Sequence, residues 1–163
     1  MSDKQRTFVA ALKSEDDAEA LRLLADDGSL VGLNDGGRKT ALNYAAENVH
    51  VAAMKFLLAN GADQNAKDGR GKTAFHFAAE NSRVTAMELL LAKGIDPLAA
   101  PKYGMTALSY AAANGHVATM EFLLAKGVDP LAATKYDKTT LHCAAKNGHV
   151  AAVPRGPRRQ AER

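Results

Sequence analysis

The sequence predicts an all-α fold, a solenoid of stacked helix–turn–helix units joined by loop or β-hairpin connections. Three observations predict it. Threonine recurs at positions 7, 40, 73, 106 and 139, 33 residues apart each time, and most of the chain repeats with it. Laid one period above another, the segments read TALNYAAENVHVAAMKFLLANGAD from Thr40, TAFHFAAENSRVTAMELLLAKGID from Thr73, TALSYAAANGHVATMEFLLAKGVD from Thr106 and TTLHCAAKNGHVAAV from Thr139. Within each period, apolar residues such as Met54, Leu57 and Leu58 fall at helical spacings of three and four, forming one buried stripe. Such units bury their apolar faces only against their neighbours, so the array implies a binding surface and no pocket built for chemistry.

Taken in order, residues 1–6 read as a flexible N-terminus and 7–34 as a cap. Leu21, Leu23 and Leu24 keep the core pattern there. Asp16, Asp17, Glu19, Arg22, Asp26 and Asp27 supply the polar face that an end unit needs. Full repeats follow at 35–67, 68–100 and 101–133, with a partial one at 134–153.

In each repeat a threonine (Thr40, Thr73, Thr106 or Thr139) is placed to N-cap a short first helix. The pairs Ala45-Ala46, Ala78-Ala79, Ala111-Ala112 and Ala144-Ala145 keep that helix narrow. A turn follows, clearest as Asn114-Gly115-His116, and then a second helix carrying Met54, Met87 or Met120 and its leucines. Gly28, Gly61, Gly94 and Gly127 are placed to end the second helix in the left-handed conformation.

The last repeat departs from the pattern. Val153 matches Met54, Met87 and Met120, but Pro154, Arg155, Gly156 and Pro157 stand where the helix should continue. Proline inside a helix costs ~3 kcal/mol or more. The array is therefore expected to be cut within its fourth repeat, with 154–163 as a basic disordered tail. The face left uncovered there, including part of Phe122–Leu124, is expected to be under-buried and to favour weak self-association.

The motifs T-A-L-N-x-A-A from Thr40, T-A-F-H-x-A-A from Thr73, T-A-L-S-x-A-A from Thr106 and T-T-L-H-x-A-A from Thr139, each followed by a leucine pair where complete, resemble the ankyrin repeat. The proline that this family carries after the threonine is replaced here by Ala41, Ala74, Ala107 and Thr140. The match is close over 35–153 and looser over 7–34. The resemblance implies an ankyrin-repeat solenoid of one cap and about three and a half repeats. It also implies protein–protein interaction, as a scaffold, adaptor or regulator. An alternative is a fragment of a larger ankyrin-containing protein, such as a bacterial or viral host-directed effector.

Composition agrees with such a domain: 163 residues, 47% hydrophobic, with no apolar run approaching the ~18 residues of a membrane span. The N-terminus lacks the apolar core of a secretory signal, and the one cysteine, Cys143, cannot form an internal disulfide, so a cytoplasmic or nuclear compartment is expected. Residues 154–163 carry the whole net charge of +3, which argues against a nucleic-acid partner for the repeats.

Three chemical motifs compete with the repeat. Ala66–Thr73 (AKDGRGKT) fits a permissive phosphate-loop pattern, but a phosphate loop follows a buried strand, and LLANGADQN before it reads as a helix end and turn. A phosphate-loop nucleotide-binding protein is thus a remote alternative. The histidines exchange within their repeat slots with Arg83, Asn43 and Ser109, as hydrogen-bonding turn residues do, and no fourth metal donor accompanies them. Cys143 fills the slot of Tyr44, Phe77 and Tyr110 as a small core residue. No enzyme activity, catalytic residue, cofactor or metal is expected.

What remains is the variable surface. In ankyrin arrays, loop tips and the exposed edge of the first helix line a concave face. The resemblance therefore carries a partner surface onto Lys39, Arg70, Lys72, Glu80, Asn81, Lys102, Tyr103, Met105, Asn114, Lys135, Tyr136, Lys138 and Lys146. Tyr103 and Tyr136 are expected about 10 Å apart, with lysines around them. The expected partner is a protein with an acidic segment carrying an apolar or aromatic anchor.

Overall fold

The threonine ladder turns into paired helices. In the computed structural model, which describes residues 1–14, 16–99, 104–131 and 139–149, the order is α1 (Asp3–Lys13), α2 (Asp17–Asp26), a 3₁₀ turn (Gly28–Gly32), α3 (Ala41–Asn48), α4 (Val51–Ala59), α5 (Ala74–Glu80), α6 (Val84–Ala92), α7 (Ala107–Ala113), α8 (Val117–Ala125) and α9 (Thr140–Lys146). The one extended pairing among the described residues is an isolated antiparallel bridge between Asn34 and Thr40. None of these helices is long and apolar enough to cross a membrane.

Two rows result. The first helices α1, α3, α5, α7 and α9 stack side by side, and each of α1, α3, α5 and α7 packs on its own second helix, α2, α4, α6 or α8. The alanine pairs explain the close first row: Ala45, Ala46, Ala78, Ala79, Ala111 and Ala112 are wholly buried, so backbones approach with no bulk between them. Between the rows, Met54, Leu57, Met87, Leu90, Met120 and Leu123 form the continuous core, each fully buried. Burying one such side chain contributes roughly 1.5–3 kcal/mol.

Threonine caps act as the spacing predicts at Thr40 and Thr106, whose Oγ1 atoms accept from Asn43 N and Ser109 N at 3.2 Å. At Thr73 and Thr139 the histidine three residues on takes part, its Nδ1 accepting from the threonine N–H at 3.3 and 3.2 Å. Thr7 does not cap. It lies inside α1, its hydroxyl donating to Asp3 O at 3.0 Å. Within the stretch expected as a flexible N-terminus, 1–6, Ser2 and Gln5 form a reciprocal capping box that starts the helix at Asp3.

The second helices end as expected at Gly61, Gly94 and Gly127, with φ of 87°, 87° and 85°. Ala62, Ile95 and Val128 then donate back to Leu57, Leu90 and Leu123 at 2.9–3.2 Å, closing each C-terminus. Gly28 differs. It opens the 3₁₀ turn, which Asp27 caps by accepting from Ser29 N at 3.0 Å. The turn between paired helices repeats one device, with Val49, Ser82, Gly115 and Gly148 all left-handed, at φ of 63°, 58°, 71° and 77°.

The fourth repeat has its first helix, α9; the expected second helix ending at Val153 and the tail 154–163 lie outside the described residues. Leu123 is fully buried like Leu57 and Leu90, and Phe122 and Leu124 are half-buried like Phe56 and Leu58. The expected under-burial of Phe122–Leu124 therefore does not distinguish this repeat from its neighbours.

Candidate partner-binding surface

Each loop tip in the first two repeats is built around an aspartate. Asp35 Oδ1 accepts from Gly37 N and Lys39 N at 2.8 and 2.9 Å, and Asp68 Oδ1 accepts from Arg70 N and Lys72 N, both at 2.8 Å. Successive tips are joined by Gly69 N donating to Gly37 O at 2.8 Å. A Cβ at position 69 would sit 3.2 Å from that same carbonyl oxygen, so a larger residue there requires the Gly37 backbone to give by a few tenths of an ångström.

This geometry lays the tip lysines over the first helices. Lys39 Nζ stands 4.2 Å from the centre of the Tyr44 ring and 4.3 Å from that of Phe77, one repeat on. Lys72 Nζ repeats the arrangement at 4.1 Å from Phe77 and 4.7 Å from Tyr110. Each lysine also meets a carboxylate of its own first helix, Lys39 with Glu47 at 2.6 Å and Lys72 with Glu80 in a close ion pair. The first helices and loop tips of these repeats thus carry a ladder of alternating cations and rings, a favourable arrangement for a charge partly withdrawn from water.

Titration follows from the burial. Burial of the Tyr44 hydroxyl and its 2.6 Å bond to Asp35 Oδ2 hold it protonated well above its usual range. Burial opposes ionisation of Asp35, yet the donors from Tyr44, Lys39 and Gly37 outweigh it and pull the carboxyl down. Tyr110 is pushed up to about 12, first by burial and then by the charges of Glu80 and Asp68. His76 is drawn down to about 4 by burial, which outweighs its 3.0 Å bond to Ala99 O. With Nδ1 accepting from Thr73 N, His76 is neutral and donates through Nε2.

Several residues expected on the partner surface make intramolecular contacts. The Lys72 and Lys39 side chains are only 7% and 17% exposed and paired with glutamates, so they do not present free positive charge. Glu80 is the other half of such a pair. Asn81 and Asn114 donate Nδ2 to Phe77 O and Tyr110 O at 2.9 and 3.0 Å, closing their helices. Arg70, Met105 and Lys146 keep exposed or half-exposed positions on this face. Lys102, Tyr103, Lys135, Tyr136 and Lys138 lie outside the described residues.

The turn residues behave as structural ties. Arg83 Nε donates to Glu47 O at 3.0 Å, and His116 Nε2 pairs with Glu80 O at 2.8 Å, each reaching back one repeat. Among the described residues no group of three His, Cys, Asp or Glu side chains is placed to hold a metal ion. In the phosphate-loop look-alike, Lys72 Nζ is held by Glu80 and Thr73 Oγ1 lies 2.9 Å from His76 Nδ1, so both side chains serve the repeat.

The ladder changes character in the third repeat. Met105 stands in the slot of Lys39 and Lys72, Ala113 in that of Glu47 and Glu80, and Cys143 in that of the rings. A cleft of about 390 Å³ opens there, lined by Met105, Ala113, His142, Cys143, Lys146 and Asn147. Inspection of loop tips alone missed this ladder. The signal was the joint loss of lysine and glutamate at Met105 and Ala113, two slots eight residues apart.

A model of ankyrin repeats (three copies) matches residues 7–101 and 96–154. No curated protein matches the chain. Capped first helices, glycine-closed second helices and a family match over most of the length agree, and the chain belongs to the ankyrin repeat family.

Proposed function

We propose that this chain is a protein-binding module that receives its partner on the concave face of its third and fourth repeats, through loop tips and first helices. Ankyrin repeats are a general protein–protein interaction module and are typically non-enzymatic. The observation that carries the placement is the contrast along the face. In the first two repeats every tip lysine is paired and stacked, whereas the third offers the Met105 cleft beside exposed Lys146.

Residues 101–163 hold nine Lys and Arg against four Asp and Glu, while 1–100 hold twelve against fourteen. A partner segment rich in carboxylates is therefore steered toward this end of the array. Tyr103 and Tyr136 are its proposed aromatic hot spots, with Lys102, Lys135 and Lys138 affecting association rate and salt dependence. The reading assigns no catalytic step and no cofactor.

The test uses the full chain as bait in an extract of its native cells, followed by affinity measurement with the partner so identified. Tyr103→Ala and Tyr136→Ala alter the proposed face; Lys55→Glu and Glu88→Lys alter exposed positions of the second helices. The two tyrosine changes should each weaken binding by about 1–2 kcal/mol or more, with folding intact. Loss confined to the second-helix variants would place the partner on the opposite side.

A further inference from the structure

Every lysine rung in the first two repeats is covered by a ring from the following repeat: Phe77 over Lys39 at 4.3 Å and Tyr110 over Lys72 at 4.7 Å. Met105 occupies the next rung, and the following repeat offers it Cys143 where a ring would stand. The carboxylate slot beside it is emptied by Ala113, and the same slot one repeat on holds Lys146. One ring and one carboxylate present in the earlier rungs are thus missing together, and the cleft of about 390 Å³ lies where they would be.

We infer that the Met105–Cys143 cleft takes an aromatic side chain from a partner protein's acidic segment, with a neighbouring carboxylate of that segment pairing with Lys146. This rests on the protein-binding reading above and names the anchor chemistry of one site within it. The ring would lie on Met105, whose thioether contacts aromatic rings favourably. The carboxylate requirement follows from charge, because Lys146 is exposed, α9 contains no acidic residue and the C-terminal part of the chain is strongly basic. A basic or purely aliphatic segment would leave Lys146 unmatched or the ring position poorly filled.

The probe is a displayed library of random linear peptides selected on the full-length chain. Enriched peptides are expected to share an aromatic residue flanked by Asp or Glu. Replacing that aromatic residue by alanine should weaken binding at least about tenfold. Cys143→Phe puts back the ring found at Phe77 and should block the cleft, with a similar loss. The pair Met105→Lys with Ala113→Glu installs the occupied rung of the earlier repeats and should do the same, which keeps the test decisive if Cys143→Phe folds poorly. Lys146→Glu should weaken binding and remove much of its salt dependence.

Peptides that bind both cleft-filling variants as tightly as the parent would overturn the cleft. If the tyrosine changes weakened those same peptides, the concave-face reading would stand without it. Binding that tracks Lys146 but ignores the aromatic residue would identify a general polyanion surface and also overturn the inference. Failure to enrich any peptide on the parent chain would count against both.

Discussion

Lys39 Nζ lies 2.6 Å from Glu47 Oε2, eight residues along the chain, between the rings of Tyr44 and Phe77. One period later Lys72 and Glu80 repeat the relationship with less solvent, the lysine side chain 7% exposed against 17%. Such a pair is costly to break and cheap to replace as a unit, because removing one partner strands a charge that has lost its water.

Glu80→Ala alone should therefore destabilise the chain by about 2–3 kcal/mol, less than the ~3–5 of a fully buried pair because Glu80 is 32% exposed. The double change Lys72→Met with Glu80→Ala copies Met105 and Ala113 and should lie within about 1 kcal/mol of the parent. Urea unfolding of the three proteins measures both terms. A double variant as unstable as the single one would show that the pair itself, and not the stranded lysine, carries the energy.

Stability should also fall in mild acid through one histidine. His76 is 2% exposed and neutral, with its pKa lowered by burial from 6.5 to about 4. The folded state thus resists a proton that the unfolded chain accepts. The contribution of His76 is fully present above pH 6.5 and is lost as pH falls toward 4, by roughly 3 kcal/mol. His76→Asn, the residue type at Asn43 in the same slot, should remove this term, so that the parent-minus-variant difference falls by roughly 3 kcal/mol between pH 6.5 and 4. An unchanged slope would assign the acid sensitivity to carboxylates instead.

The fold was legible because its determinants are local and repeated. A cap, a narrow alanine pair and a closing glycine recur at one interval, so each repeat corroborates the next. Where the repeat was imperfect, register no longer carried local structure: Thr7 sits inside α1 because Ser2 and Gln5 cap earlier, and Gly28, expected to end a helix, opens a 3₁₀ turn because Asp27 caps it. The contacts made on the proposed partner face were legible only in part. Lys39 and Lys72 read as free tip charges since their glutamates lie eight residues away, a distance that helical periodicity does not connect. Asn81 and Asn114 read as surface polar groups because an amide closing its own helix looks no different in sequence.

Comparison between repeats locates a repairable flaw at Asn43. Its Nδ2 is buried without a partner, whereas His76 in the same slot reaches Ala99 O with Nε2. Ala66 stands one period before Ala99. Asn43→His should extend the donor to that carbonyl and raise stability by about 1 kcal/mol, since a buried unsatisfied donor costs about 1–3. Thermal unfolding at pH 8, where the new imidazole is neutral, measures the gain. A lower midpoint would mean that the first repeat is packed too tightly for the ring.

The turn between paired helices permits a three-way comparison. Val49 is β-branched and held at φ 63°, where Gly115 and Gly148 serve in later repeats. A branched residue there stores about 1–2 kcal/mol of strain. Glycine's greater freedom in the unfolded chain returns roughly 0.5–1 of that, so Val49→Gly should stabilise by about 0.5–1 kcal/mol. Ser82, at φ 58°, also shares a 3.1 Å hydrogen bond with Thr119 Oγ1, so Ser82→Gly relieves strain but loses that bond and should be close to neutral. Gly115→Ala should be the damaging member, by more than about 1 kcal/mol, because its Cβ would enter at φ 71° and 2.8 Å from His149 Nδ1. Denaturant midpoints in the order Val49→Gly above parent, Ser82→Gly level and Gly115→Ala below would establish backbone strain as the common cause. If Val49→Gly fell below the parent, the half-buried valine side chain would outweigh the strain of its backbone.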